Sequence, residues 1–295
     1  MTTIVLMSCD DAVINGDGEI SVELDMELSE VGFAYSSGKD GVPVLNNISL
    51  KIEGAQLISI LGPNGVGKST LIHCMNKILE PLEGFIRVSN RNLNSISIKD
   101  LSKFMGYVPY SSYNNFPLTV TDTVLMGRHP HSKWGTLDGD LKIVYDMLKL
   151  IGIENLADKP SNELSAGQHQ KVMLARGLAQ EPRILLLDEP TSNLDIRYQL
   201  EIIRILRDLA HTKDMLIIMI SHDINIASKY SDNIIMLSKG SVFAIGKPVD
   251  VITEENMKKV YDVDCSIIMD GSRPHVLLID DTPDPRPSVG VCRLG

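Results

Sequence analysis

The stretch Gly62-Pro63-Asn64-Gly65-Val66-Gly67-Lys68-Ser69-Thr70 decides the fold. It fits the phosphate-loop pattern G-x-x-x-x-G-K-[ST], with an apolar strand-like segment before it and a helix-compatible segment after it. Glycines let backbone N–H groups point at phosphate oxygens, and the N-terminus of the following helix adds partial positive charge. Lys68 is predicted to reach the β- and γ-phosphates, and the Ser69 hydroxyl to bind Mg²⁺. The sequence therefore predicts a chain that binds a nucleoside triphosphate.

The composition narrows the class of protein around this loop. The chain has 295 residues, enough for one or two domains with a substantial core. A formal net charge of −10 argues against nucleic acid as the main partner. The four cysteines share no C-x-x-C spacing, so we expect reduced thiols in a cytosolic protein. No apolar run approaches the length of about 20 residues needed to span a bilayer, and no signal peptide is indicated, so if the protein serves a membrane process we expect it to do so as a soluble, peripheral subunit.

The hydrophobic pattern predicts an α/β fold with parallel strands. Residues 184–187 and 215–220 are continuous apolar runs, typical of strands that helices cover on both faces. Helical spacing separates these runs, as in a parallel α/β sheet. Residues 20–29 instead alternate between apolar and polar types, which predicts an antiparallel strand.

The sequence pattern divides the chain into an N-terminal extension, a core with an insertion, a C-terminal region and a tail. Residues 1–27 are read as an acidic N-terminal extension, partly strand, and about 93–170 as a mostly helical insertion into a core that spans 28–250. Within the insertion, Asp138 and Asp140 are capping candidates for a helix that Gly152 ends. Residues 251–280 are predicted to form a helix and a hairpin, and the proline-rich residues 281–295 a disordered tail.

Two carboxylates follow the first apolar run. Asp188 and Glu189 come directly after residues 184–187, at the edge of the sheet where ligands bind in α/β folds. Asp188 is predicted to hold Mg²⁺, directly or through water. Glu189 is placed to polarise the water that attacks the γ-phosphate.

The segment Leu164-Ser165-Ala166-Gly167-Gln168 supplies a third motif. Ser165 with Gln168 three residues later is a capping box that opens a helix. Together with the phosphate loop and the Asp188-Glu189 pair, the segment resembles the LSGGQ signature of ABC-type ATPases, with Ala166 in place of the first glycine. In that family, the signature serine and glycines of one protomer bind the γ-phosphate held by the other.

The resemblance covers roughly residues 28–250 and implies the fold of a P-loop ABC cassette. Such a cassette has a RecA-like core, an antiparallel β subdomain and a helical insertion. Tyr35 resembles the aromatic residue that stacks on adenine. The run Ser192-Asn193-Leu194-Asp195 resembles the loop that carries contacts across the dimer, and His222 resembles the switch histidine that bonds the γ-phosphate.

One family element is missing. The family places a glutamine after a Val-Pro pair, where it contacts Mg²⁺ and the attacking water. Here Val108-Pro109 is followed by Tyr110, and no glutamine lies between Gln56 and Gln168. Asn114 or Asn115 is a candidate substitute. We expect that turnover is retained with altered metal or coupling geometry.

A further stretch resembles one branch of the family. Gly127-Arg128-His129-Pro130-His131 is similar to the Gly-Arg-x-Pro-His segment of importers for ferric siderophores, haem and cobalamin, as are Val260-Tyr261-Asp262-Val263 and Arg273-Pro274-His275. Two histidines without a further ligand nearby do not favour a metal site. We expect this stretch to contact a coupling helix of the membrane subunit.

The resemblance implies an ATP-hydrolysing importer subunit with ATP and Mg²⁺ as cofactors. It implies a head-to-tail homodimer on the cytoplasmic face of the cell membrane, with an integral membrane permease as partner and an external substrate-binding protein as an indirect one. The alternatives are the ATPase of another transporter, including an exporter, and a soluble ABC ATPase acting on DNA or ribosomes. A nucleotide-binding regulator is a further alternative, favoured only by Tyr110.

Overall fold

The computed structural model describes residues 5–6, 24–35, 42–110, 117–131, 137–192 and 194–279. The bounds of the elements are as follows. The strands are β1 (Val5–Leu6), β2 (Asp25–Phe33), β3 (Leu45–Glu53), β4 (Gln56–Leu61), β5 (Glu83–Val88), β6 (Arg91–Asn92), β7 (Met105–Val108), β8 (Ile184–Leu187), β9 (Leu216–Ile220), β10 (Asn233–Ser238), β11 (Ser241–Gly246), β12 (Cys265–Asp270) and β13 (Arg273–Leu278). The helices are α1 (Lys68–Met75), α2 (Ile98–Phe104), α3 (Val120–Leu125), α4 (Leu137–Ile151), α5 (Ala166–Leu178), α6 (Ile196–Thr212), α7 (Ile224–Tyr230), α8 (Pro248–Val251) and α9 (Glu254–Tyr261).

A six-stranded sheet in the order β11-β10-β4-β9-β8-β7 forms the centre of the fold. Its strands run parallel except β11, which pairs antiparallel with β10. Every residue of β4, β8 and β9 is buried, because α5 and α6 cover one face of these strands and α1 with the antiparallel sheet covers the other. The apolar runs at 184–187 and 215–220 are therefore core strands, and the predicted α/β fold is confirmed.

A five-stranded sheet in the order β1-β3-β2-β5-β6 packs beside the central one. Strand β2 pairs antiparallel with β3 and β5, as its alternating pattern predicts, while the short β1 runs parallel to β3. Met26 and Leu28 of β2 share one hydrophobic cluster with α1 and with Ile58 and Ile60 of β4. Burial of this shared apolar surface joins the antiparallel sheet to the strand that enters the phosphate loop.

The segment predicted as a mostly helical insertion also contains a strand of the core. Strand β7 pairs in parallel with β8, with Val108 opposite Leu187. Four residues, one of them Gly106, are too few for a periodic pattern to identify. Asp138 and Asp140 lie inside the first turn of α4, so they do not have the predicted capping position.

One buried arginine joins the helices of this region. Arg128 donates from Nε to Oδ1 of Asp140 in α4 at 2.9 Å, and from Nη1 to the carbonyl oxygen of Ala179 at 2.7 Å and to Glu181 at 2.8 Å. Gly127 lies so close to α5 that an added Cβ would sit 2.2 Å from the carbonyl oxygen of Arg176. The Gly127-Arg128 pair therefore holds α4 and the end of α5 together.

The C-terminal helix and hairpin pack on β10 and α7. Met257 and Val260 of α9 and Cys265 of β12 share a buried cluster with Leu61, the last residue of β4. Burial raises the pKa of Tyr261 to about 12, although a hydrogen bond from the Gly62 backbone N–H acts in the opposite direction. This region therefore contacts the start of the phosphate loop.

The described residues leave out most of both ends of the chain. The predicted tail, residues 281–295, lies outside the described residues, as does most of the predicted N-terminal extension. Within the described ranges, no helix combines the length and the apolar character needed to cross a bilayer.

Candidate functional site

The predicted motifs meet at one edge of the central sheet. The phosphate loop follows β4, the Asp188-Glu189 pair follows β8, and His222 follows β9. Strand β9 lies between β4 and β8, and all three run parallel, so their carboxyl ends share an edge. Sheet order therefore places these three motifs side by side.

The backbone of the loop requires glycine at its start and at its end. Gly62 has φ 150°, and a Cβ there would lie 2.5 Å from the carbonyl oxygen of Leu237. Gly67 has φ 99° and is the N-cap of α1, where no side chain caps the helix. The first N–H groups of α1 are therefore available to an anion.

Lys68 is buried beneath the loop. Its Nζ donates to the carbonyl oxygens of Gly62 at 2.8 Å and Pro63 at 2.9 Å. Burial lowers the pKa of Lys68, while the charges of Glu189 and Asp188 act to raise it. The ammonium group is thus held at the loop, close enough to the two carboxylates after β8 to feel their charge.

Ser69 and Asp188 form a pair of oxygen ligands. The Ser69 hydroxyl donates to Oδ1 of Asp188 at 3.1 Å, and Asp188 is only 6% exposed. Burial raises the pKa of Asp188, and the hydrogen bond from Ser69 opposes this shift. Mg²⁺ prefers hard oxygen ligands and commonly takes one or two from the protein and the rest from phosphate and water. This pair fits such an ion.

Glu189 and His222 are in direct contact. Nε2 of His222 forms a short hydrogen bond with Oε1 of Glu189, and the Ser192 hydroxyl donates to Oε2 at 2.8 Å. Glu189 has φ 51°, a backbone conformation that is costly for a residue with a side chain. Its carboxylate is therefore held from two sides at the sheet edge.

The predicted adenine-stacking residue also reaches the loop. The Tyr35 hydroxyl lies 3.1 Å from Oγ1 of Thr70, and its ring meets Phe33 edge-on. The ring is 68% exposed, so it offers a free aromatic surface beside the phosphate loop.

The LSAGQ segment opens α5 as its capping box predicts. Ser165 accepts a hydrogen bond from the Gln168 backbone, and the Gln168 side chain accepts one from the Ser165 N–H. Ser165 and Ala166 are exposed, whereas Gly167 is buried against the ring of Tyr198. This explains why alanine is tolerated at 166 and predicts that it is not at 167.

The predicted cross-dimer loop leads into α6. Asp195 is the N-cap of α6 and accepts a hydrogen bond from the Tyr198 N–H at 3.1 Å. Asn193, Asn114 and Asn115 lie outside the described residues. Tyr110 is 46% exposed where β7 leaves the sheet.

Sequence reasoning missed a polar pair, His73 and Tyr107, near the predicted metal ligands Ser69 and Asp188. Nε2 of His73 lies 3.0 Å from the hydroxyl of Tyr107, and the two rings meet edge-on. Burial and the charge of Asp188 raise the pKa of Tyr107 to about 12. His73 follows Ser69 by four residues on α1, so the helical spacing was the available signal.

Within the ranges that the structure describes, no group of three or more His, Cys, Asp or Glu side chains could hold a metal ion. Nε2 of His131 instead lies 2.9 Å from the carbonyl oxygen of Gln180. His131 therefore has a backbone partner at the end of α5.

The sequence matches a family and named relatives. Residues 45–192 match the family model described as ABC transporter. An uncharacterized ABC transporter ATP-binding protein of Methanocaldococcus jannaschii is 45% identical over 82% of this chain and 93% of its own. The hemin import ATP-binding protein HmuV of Escherichia coli O157:H7 is 37% identical over 86% of this chain and 99% of its own.

Solved structures have the same fold. An ABC transporter of the metal-chelate type, in an inward-facing conformation, superposes with a TM-score of 0.74 at 25% identity, over 88% of this chain and 98% of that one. A dimeric ATP-binding cassette in a post-hydrolysis state, bound to ADP and Pi, gives a TM-score of 0.67 at 30% identity, over 75% and 98%.

Proposed function

This chain belongs to the ABC transporter family of ATP-binding proteins, and on that premise we propose that it is the ATP-hydrolysing subunit of an importer for a ferric siderophore, haem or cobalamin. One observation carries the proposal: Lys68, Ser69, Asp188, Glu189 and His222 belong to motifs that meet at one sheet edge. Two similar proteins support import as the direction of transport and the proposed class of cargo. One is named as a hemin import ATP-binding protein, and the other is a metal-chelate type ABC transporter.

In the proposed site, the phosphates lie on the loop Gly62–Thr70 and the adenine on Tyr35. Lys68 exchanges its two carbonyl partners for β- and γ-phosphate oxygens. Ser69 and Asp188 would hold Mg²⁺, which when bound neutralises charge on those oxygens. Tyr107 and His73 support the ligands from behind.

Hydrolysis uses the Glu189–His222 pair. Glu189 accepts a proton from the water that attacks the γ-phosphorus, the bond to the β-phosphate oxygen breaks, and ADP and phosphate result. His222 orients the Glu189 carboxylate and contacts the γ-phosphate. The hydroxyl of Ser192 holds the other carboxylate oxygen in place.

Half of each site comes from a second copy of the chain. Ser165 is exposed at the N-terminus of α5, where backbone N–H groups and the helix dipole favour an anion. We assign Ser165, Gly167 and Gln168 to the γ-phosphate held by the partner, in a head-to-tail homodimer, with Asp195 beside them. The dimeric cassette bound to ADP and Pi supports this arrangement.

The membrane partner binds the helical region. Met126, Leu137 and Tyr145 are each more than half exposed, so α4 and the segment before it offer an apolar surface to a permease helix. His129-Pro130-His131 follows Met126 closely in the chain. The chain then acts as a peripheral subunit on the cytoplasmic face of the membrane. An external binding protein delivers the cargo to the permease, and nucleic acid is no partner.

Glu189→Gln tests the proposal. The amide cannot accept the proton, so we expect the variant to bind ATP without hydrolysing it and to accumulate as a dimer. Size-exclusion chromatography with ATP and Mg²⁺ should show the dimer, and ADP should leave the monomer. Ser165→Ala in the same background is the matched control for the shared site and should reduce dimer formation. A variant that stays monomeric with ATP at all protein concentrations would count against the proposal.

Identifying the class of cargo requires an assay on the complete transporter. The chain would be purified with its permease, and ATP hydrolysis measured with the binding protein loaded with haem, a ferric siderophore or cobalamin. Stimulation by one of these identifies the cargo. A complex that responds to none of them would contradict the proposed class of cargo while leaving the ATPase assignment intact.

A further inference from the structure

Tyr198 contacts both segments that the proposed function assigns to the dimer interface, namely the LSAGQ segment and the loop that ends at Asp195. Its ring lies against Gly167 of α5: an added Cβ at Gly167 would lie 2.9 Å from Cγ and 3.0 Å and 3.1 Å from the two Cδ atoms. Its backbone N–H donates to Asp195 at 3.1 Å. One residue thus contacts both the LSAGQ segment and the loop that ends at Asp195.

A second contact lies one turn further along both helices. Lys171 follows Gly167 by four residues and Glu201 follows Tyr198 by three, so each pair shares a helix face. Nζ of Lys171 donates to Glu201 at 2.6 Å and lies 5.7 Å from the centre of the Tyr198 ring. The lysine side chain is only 8% exposed. The Glu201 side chain is 41% exposed, so a partly buried ion pair lies beside the ring and limits its position.

The same loop leads back to the candidate general base. Asp195 caps α6, and Gln199 donates to the carbonyl oxygen of Leu194 at 2.9 Å, which anchors the end of the loop. At the start of the loop, Ser192 bonds Glu189. Tyr198 thus connects the Ser165 end of α5 with the segment that holds Glu189.

We propose that Tyr198 is a positioning residue that sets the spacing between Ser165 and Asp195, and through it the geometry of the half-site offered to a second copy. Lys171 and Glu201 hold the ring. The inference rests on the proposed function, because it concerns the shared site of the dimer. It assigns Tyr198 no contact with ATP.

The first test separates dimer formation from nucleotide binding. In the Glu189→Gln background, Tyr198→Ala should raise the protein concentration for half-maximal dimer formation with ATP and Mg²⁺ at least tenfold, measured by analytical ultracentrifugation. Affinity of the dilute monomer for a fluorescent ATP analogue should stay within twofold, because the phosphate loop is untouched. Tyr198→Phe keeps the ring and should behave as the parent.

These measurements distinguish failure of the positioning role from failure of the proposed function. If Tyr198→Ala forms the dimer as readily as its parent, or loses nucleotide binding and dimer formation to the same degree, the positioning role is wrong. If the Glu189→Gln parent itself forms no dimer, the proposed function fails, and the inference with it. Lys171→Met is the milder variant should Tyr198→Ala fold poorly, and a smaller weakening of the dimer is expected.

A double-variant cycle tests the contact itself. Gly167→Ala should lower the urea midpoint of unfolding when Tyr198 is present, because the added Cβ meets the ring. In the Tyr198→Ala background the same change should raise the midpoint, since alanine favours a helix over glycine. Equal effects in both backgrounds would show that the ring does not determine the requirement for glycine.

Discussion

Tyr110 lies where strand β7 leaves the sheet, near Asp188, one of the two proposed Mg²⁺ ligands. The Asp188 N–H donates to the Val108 carbonyl oxygen at 2.9 Å, so the residues after Val108 leave next to Asp188. Behind them, Tyr107 contacts His73 on the helix that carries Ser69. The position that the family gives to glutamine thus follows Val108 by two residues, at the strand end that lies next to Asp188.

Replacing Tyr110 by glutamine tests whether tyrosine is the adapted residue. We expect Tyr110→Gln to lower kcat of ATP hydrolysis about tenfold, or about 1.4 kcal/mol of barrier, with KM for ATP little changed. The reason is that the substitution alters the β7 end and leaves the phosphate loop intact. Tyr110→Phe, which removes only the hydroxyl, is the control in the same steady-state assay. A large gain in kcat for the glutamine variant would mean that tyrosine is a defect.

Residues in local patterns were predictable, and residues defined by distant partners were not. Lys68, Ser69, Asp188 and Glu189 were predicted because each lies in a motif whose spacing is fixed by a loop or a strand end. The partners of the His73–Tyr107 contact lie 34 residues apart, so only the folded chain brings them together.

Helix α5 carries a buried histidine whose protonation the fold disfavours. Burial, with a contribution from Arg176, lowers the pKa of His169. Below the ordinary histidine pKa of 6.5, His169 binds a proton in the unfolded chain but not yet in the folded chain. The free energy of unfolding therefore falls as the pH decreases from 6.5 toward the lower pKa of the folded protein.

Replacing His169 should therefore flatten the acid side of the stability profile. Between pH 7.5 and 5.5, we expect His169→Gln to lose less free energy of unfolding than the parent in urea titrations. His275→Gln, at an exposed site on β13, is the control and should follow the parent. Parallel profiles for parent and His169→Gln would refute the assignment.

The strands and helices that could be predicted from the sequence were those with a long buried apolar run or a recognisable capping motif. Strands β8 and β9 and the capping box of α5 were predicted, because an uninterrupted apolar run and a four-residue motif are local signals. Strand β7 was hidden inside the predicted insertion, because its membership in the core depends on its pairing with β8.

The whole molecule brings its C-terminal region to the phosphate loop. Arg273 donates to the carbonyl oxygens of Ser228 and Ser231 at the end of α7, and Asn225 and Val276 exchange two hydrogen bonds. The docked hairpin and α9 place Tyr261 against Gly62. The first residue of the loop is therefore held from the far end of the described chain.

Removing the Tyr261 hydroxyl should lower both the stability of the protein and its affinity for ATP. Tyr261→Phe withdraws a hydrogen-bond acceptor from the Gly62 N–H, so we expect a loss of about 1 kcal/mol in the free energy of unfolding and weaker ATP binding by calorimetry. Tyr145→Phe, on an exposed ring of α4, is the matched control. Values equal to those of the control would mean that the contact does not support the loop.

The order of strands also determines when this protein can fold during synthesis. Strand β4 carries the phosphate loop, yet its two neighbours are β9 and β10, and Ser59 meets Ser231 across 172 residues of chain. The antiparallel pairs β2-β3 and β2-β5 lie within the first third of the chain and can form early. A nascent chain that has not yet released β10 carries the complete nucleotide motif with one side of its central strand unpaired. We therefore expect the chain to bind nucleotide only late in its synthesis, after β10 has paired with β4.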